Sequence, residues 1–113
     1  MDCIAEMRVP TYRGVIWYAG FVGTVNVKAS LGSDAHAISV DVKGSNAALA
    51  GLVKSAFATA KFSATCAGAS FTMNFVYRIA GDKSKEPDNE VVWREPDTFE
   101  ITARPPVPLE SNP

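Results

Sequence analysis

Thr24-Val25-Asn26-Val27-Lys28-Ala29-Ser30-Leu31 alternates polar and apolar residues at every step, and beyond Gly32-Ser33-Asp34-Ala35 the alternation resumes. There His36, Ile38, Val40 and Val42 stand against Ala37, Ser39, Asp41 and Lys43. A period of two marks a strand with one wet face, and the intervening residues have turn composition, so the stretch reads as a β-hairpin.

Toward the N-terminus the same parity runs back through Phe21, Ala19, Trp17 and Val15. A single strand over 14–31 would extend roughly 60 Å, far past the usual length, so Gly20 and Gly23 mark a bend or bulge. Val15-Ile16-Trp17-Tyr18-Ala19 is apolar at every position, which in a strand requires cover on both faces. Cys3, Ala5, Met7 and Val9 share one side of a further strand over 2–9, ended by Pro10.

Toward the C-terminus the period changes. Leu49, Leu52, Val53, Ala56, Phe57 and Ala60 recur at helical spacing behind Ser45 or Asn46 as N-cap, which predicts a helix near 46–59. Gly51 costs such a helix about 1 kcal/mol relative to alanine, and close packing on the sheet is the expected reason for it. Phe62, Ala64 and Cys66, then Phe71, Met73, Phe75, Tyr77 and Ile79, resume the period of two and predict a second hairpin. Three aromatics and a methionine in the longer row mark it as a central core strand.

Residues 81–90 are polar and form an exposed loop, Val91-Val92-Trp93 and residues 98–103 are strand-like, and 104–113 has the composition of an extended proline-rich tail. The expected fold is α+β and predominantly antiparallel, with about six to eight strands in the order β-β-β-β-α-β-β-β; a β-sandwich or barrel is the alternative. Residues 1–103 make one small domain and 104–113 its tail.

The chain of 113 residues is 47% apolar and 20% charged, a globular composition. Its longest near-apolar run, Val15 to Val22, is too short for a membrane-spanning helix of about 20 residues. The acidic start, Met1-Asp2-Cys3-Ile4-Ala5-Glu6, differs from a secretory signal, which points to the cytoplasm. Cys3 and Cys66 are accordingly expected to be buried free thiols.

A net charge of −1 conceals an asymmetry: residues 1–80 carry seven Lys/Arg and four Asp/Glu, residues 81–113 four and eight. Neither part has the dense cationic clustering that nucleic acid demands.

The sequence points away from catalysis. His36 is the only histidine, the cysteines lack metal-ligand spacing, and there is no nucleophile elbow or phosphate-binding glycine loop. No metal or cofactor is expected. The acids of the 81–97 region belong to a wet segment in which a raised pKa is hard to hold.

What remains is apolar surface: Ile16, Trp17, Tyr18, Val22 and Trp93, with Pro105, Pro106, Pro108 and Leu109 in the tail, read as contacts to another protein or to copies of the same chain. The expected function is a non-enzymatic protein-binding or assembly module, such as an oligomeric subunit, an inhibitor, or an immunity or virion-type accessory protein. The competing reading is a barrel or enzyme that holds a small apolar ligand inside a curved sheet, lined by His36, Phe71, Met73, Phe75 and Tyr77.

Overall fold

The computed structural model describes residues 3–108. Its order is β1 (Ile4–Glu6), α1 (Gly14–Tyr18), β2 (Gly23–Leu31), β3 (Ala37–Gly44), α2 (Ala47–Ala58), β4 (Lys61–Phe62), a 3₁₀ turn (Ala64–Cys66), β5 (Ser70–Ile79), β6 (Glu90–Arg94) and β7 (Thr98–Ala103). The α+β class and the mainly antiparallel pairing are as the alternation predicts. No closed barrel forms: the sheet is open and five-stranded, in the order β3-β2-β5-β7-β6, beside a two-stranded β1-β4 ribbon.

The β2-β3 hairpin pairs Val27 with Val42 and Ala29 with Val40, and a bulge near Leu31 sets Ile38 out of the regular register. β5 lies at the centre, antiparallel to β2 and parallel to β7, the one parallel pair in the sheet. That pair arises because the chain leaves β5, crosses to the outer strand β6 and returns through the 95–97 turn into β7.

One face of the sheet is dry. Val25, Val27, Met73, Phe75, Tyr77, Ile101 and Ala103 pack with Leu49, Val53 and Phe57 of α2. Burying each of those large side chains stabilises the fold by about 1.5–3 kcal/mol relative to leaving it in water. Asn46 starts α2 by accepting a 3.0 Å hydrogen bond from the Leu49 N–H at its side-chain carbonyl. The opposite face is wet, with Asn26 bonded to Asn74 at 2.9 Å and Ser30 to Ser70 at 3.0 Å across the β2-β5 ladder.

Four local expectations are corrected. Residues 14–18 form a short helix instead of a strand covered twice: Gly14 and Gly20, at φ +54° and +68°, turn the chain sharply on either side. Only one face of that turn needs burial, so Trp17 points inward while Val15 is 80% exposed. Of the strand expected over 2–9, residue 2 lies outside the described residues and, among residues 3–9, only Ile4–Glu6 is strand, because its neighbour β4 is only two residues long. Residues 61–69 make no hairpin with β5; β4 pairs with β1, and β5 takes β2 and β7 as its neighbours.

The fourth correction concerns the cysteines. Cys3 and Cys66 are joined in a disulfide, with their Cα atoms 5.4 Å apart. The β1-β4 ribbon brings the two segments together, and Ser63 N–H donates to the Cys3 carbonyl at 2.9 Å beside the bridge.

Candidate functional site

The space inside the sheet is full. Met73, Phe75 and Tyr77 are 0–1% exposed and embedded in the main core, with Phe57 edge-on to Phe75 at 6.0 Å and Tyr12 edge-on to Tyr77 at 5.3 Å. The Tyr77 hydroxyl donates to the Pro10 carbonyl at 2.6 Å, and the Tyr12 hydroxyl to the Phe21 carbonyl. Burial pushes the Tyr12 phenol up to about 12 and raises that of Tyr77 further, Tyr12 adding to the latter effect. Both are structural phenols kept neutral by burial, with their O–H groups donated to backbone carbonyls.

His36 stands apart from this row. It lies in the β2-β3 turn with its imidazole exposed, 3.2 Å from the Asp34 carboxylate. The His36 backbone N–H, bonded to Asp34 at 3.1 Å, holds that carboxyl below its usual range, and the charge of His36 acts in the same direction. Phe71, half-buried, packs on Phe62. The residues proposed to line an internal pocket therefore form a solid core and a separate exposed turn.

The apolar candidates divide between two places. Trp17 is buried, and its indole N–H donates to the Arg104 carbonyl at 2.7 Å, so α1 sits against the start of the tail. Ile16 is half-buried; Tyr18 and Val22 are about half exposed and, with Val15, leave an apolar corner at this end of the sheet. Pro105 and Pro106 are tied down rather than free: Ser84 N–H donates to the Pro105 carbonyl and Val107 N–H to the Ser84 carbonyl. Pro108 is exposed, and Leu109 lies outside the described residues. Trp93 belongs to the other end of β7, half-buried and stacked obliquely on Phe99 at 4.7 Å.

No protein-family model, curated protein or solved structure matches this chain.

The surface with the clearest unmet bonding capacity is one that side-chain patterns do not reveal. β3 ends the sheet: β2 covers one of its edges, and among the described residues no strand covers the other. It runs for eight residues, and Val40 and Val42 are only half-buried although they face the core side, because nothing flanks them outward. Ile38, thrown outward by the bulge, is 74% exposed. Beside the start of β3 lies an open cleft of about 420 Å³ between the hairpin tip and the end of α2, with Ala37, Phe57 and Phe62 among its lining residues beside the polar Asp34, His36 and Lys61.

β6 is the sheet's other outer strand, but it has only five residues, with Glu90 and Arg94 at its ends. A short, charged edge is a poorer template for pairing than a long one. Alternation along 37–43 was the available signal for β3 as a strand; its position at the edge depends on the pairing of distant segments.

Proposed function

We propose that this chain is a non-enzymatic protein-binding module that takes up an extended segment of another protein as an added strand along β3. The observation that carries the reading is the uncovered eight-residue edge, with Ile38 exposed and Val40 and Val42 half-open beside it. A row of unpaired backbone N–H and C=O groups supplies affinity, and alternate side chains supply selectivity. Over eight residues at about 3.3 Å each, the added strand spans roughly 26 Å. Its inward positions continue the apolar row of Val40 and Val42, and its outward ones meet Ser39, Asp41 and Lys43.

The solid core and the dispersed titratable groups favour this over a ligand-holding barrel or an enzyme. The corner made by Val15, Tyr18 and Val22 is a smaller secondary contact, with Trp17 withdrawn beneath it. The Cys3–Cys66 bridge supports an oxidising compartment in place of the cytoplasm, since reducing pools keep cytosolic thiols free.

The test is selection of random displayed peptides against the full chain, followed by chemical-shift mapping of the selected sequences. Peptides with apolar residues at every second position, perturbing amides 37–44 and the neighbouring 25–31, are the expected result. Peptides that map to the Val15, Tyr18 and Val22 corner instead would sink the β3 reading. Self-pairing through β3 is tested by light scattering over a wide concentration range.

A further inference from the structure

The acids of this chain are unevenly spread. Residues 7–33 and 42–81 contain no Asp or Glu at all, yet they carry Arg8, Arg13, Lys28, Lys43, Lys54, Lys61 and Arg78. Two walls from these acid-free stretches face each other across a cleft of about 200 Å³: the 8–13 segment with Arg8, Val9, Thr11 and Arg13, and α2 with Leu52 and Ser55. Its lining combines the apolar Val9, Pro10, Leu52 and Ala56 with hydroxyl residues on both walls and with Arg8 and Arg13. Among the described residues, neither Arg8 nor Arg13 has a carboxylate within ion-pair distance, whereas Arg78, Arg94 and Arg104 each have one.

The 10–13 part of the wall bearing the arginines is tied to the rest of the fold. Asn89 brackets Tyr12, accepting from its N–H at 2.9 Å and donating to its carbonyl at 3.0 Å. Tyr77 fixes Pro10, and Arg13 begins α1 with its carbonyl 3.4 Å from the Trp17 N–H. The opposite wall comes from one stripe of α2 and its C-cap, since Leu52, Ser55, Ala56 and the capping Thr59 are three or four residues apart. A cleft lined by two arginines, whose fork-shaped donors suit a carboxylate, together with apolar side chains that suit a short alkyl stem, matches a small alkyl carboxylate.

We propose that Arg8 and Arg13 form a binding site for a small alkyl carboxylate, whose stem rests on Val9 and Leu52 while Thr11 and Ser55 supply further hydrogen bonds. The same chemistry is offered by a free short-chain acid and by a glutamate side chain of a bound peptide. The site is separate from the β3 edge and stands or falls independently of it.

The experiment is a chemical-shift titration of the full chain with butyrate, with N-acetylglutamate N-methylamide and with inorganic phosphate. Saturable shifts at the amides of 8–13 and 52–59 are expected with the two carboxylates, weakened about tenfold in each of R8Q and R13Q. S55W, which fills the cleft and leaves both arginines in place, is expected to abolish them. All three positions are exposed, and circular dichroism verifies that each variant is folded. Tighter binding of the blocked glutamate identifies a peptide side chain as the source, and tighter binding of butyrate a free acid. Absence of saturable shifts with either carboxylate, binding of phosphate alone, or undiminished carboxylate binding in R8Q, R13Q and S55W overturns the proposal.

Discussion

Trp17 and Arg104 are 87 residues apart in sequence, yet the indole N–H of the first donates to the backbone carbonyl of the second at 2.7 Å. This bond anchors the short helix α1 to the chain leaving β7, whose Arg104 N–H in turn donates to the Pro87 carbonyl at 2.8 Å. Trp17→Phe keeps most of the buried ring and leaves a carbonyl unpaired, and its expected cost is about 1–3 kcal/mol. Trp17→Ala also opens a cavity, and about 3–5 kcal/mol is expected. Urea unfolding followed by circular dichroism checks both. A negligible cost for Trp17→Phe beside a large one for Trp17→Ala would show that packing alone accounts for Trp17.

The Cys3–Cys66 bridge closes a loop over a sequence separation of 63 residues, and a crosslink of that span removes substantial freedom from the unfolded chain. Loss of the bridge in the Cys3→Ser/Cys66→Ser double variant is expected to lower stability by about 2–4 kcal/mol. The effect falls first on the β1-β4 ribbon, which holds Ile4 opposite Phe62. Hydrogen exchange in oxidised and reduced protein provides the check: amides near 4–6 and 61–66 lose protection on reduction, while those of β5 retain theirs. Uniform loss across the sheet would mean that the ribbon is integral to the cooperative unit.

Tyr12 and Tyr77 tie stability to alkaline pH. Burial raises both phenols above the ordinary value of 10.0, that of Tyr12 to about 12. The folded state therefore retains protons that the unfolded state releases, so stability is fully present below pH about 10 and falls as pH rises through the folded values. Unfolding midpoints in urea are expected to be unaffected by these groups below that range and to drop beyond it. In Tyr77→Phe the drop is shallower, because one of the two linked groups is gone. An unchanged slope in that variant would place the linkage elsewhere.

The legible parts of the fold are those whose burial is one-sided and local. Val25 to Leu31 and Phe71 to Tyr77 alternate because α2 covers one face of the sheet and water the other, so the period of two survives in the sequence. Asn46 and the spacing of Leu49, Val53 and Phe57 reveal α2 in the same way. The run Val15 to Ala19 misleads because a short helix buries one residue, Trp17, and leaves Val15 and Tyr18 outside, which no periodicity can record over five positions. The flanking Gly14 and Gly20 were the available sign.

Of the candidate surface, Tyr18, Val22 and Pro108 are exposed as an interface would require, whereas Trp17 is not. The β3 edge and the Arg8/Arg13 cleft depend on which segments become neighbours, and that is fixed by pairings such as β5 with β7 rather than by local pattern. The disulfide escaped for the same reason: Cys3 and Cys66 meet only through the β1-β4 ribbon.

Gly51 supplies a test in the stabilising direction. The anticipated close approach of α2 to the sheet does not occur there: Gly51 is exposed, and a Cβ added to it meets no atom within 4 Å. The residue has ordinary helical neighbours and no positive φ to favour glycine. Gly51→Ala removes freedom from the unfolded chain and leaves the packed face of α2 intact. An increase in stability of about 0.5–1 kcal/mol is expected. Thermal and urea unfolding measure it against Asn46→Ala, which removes the cap of the same helix and is expected to cost about 1 kcal/mol. Destabilisation by Gly51→Ala would mean that a Cβ at this position does meet a neighbour, so that α2 lies closer to other parts of the chain than the open space around Gly51 implies.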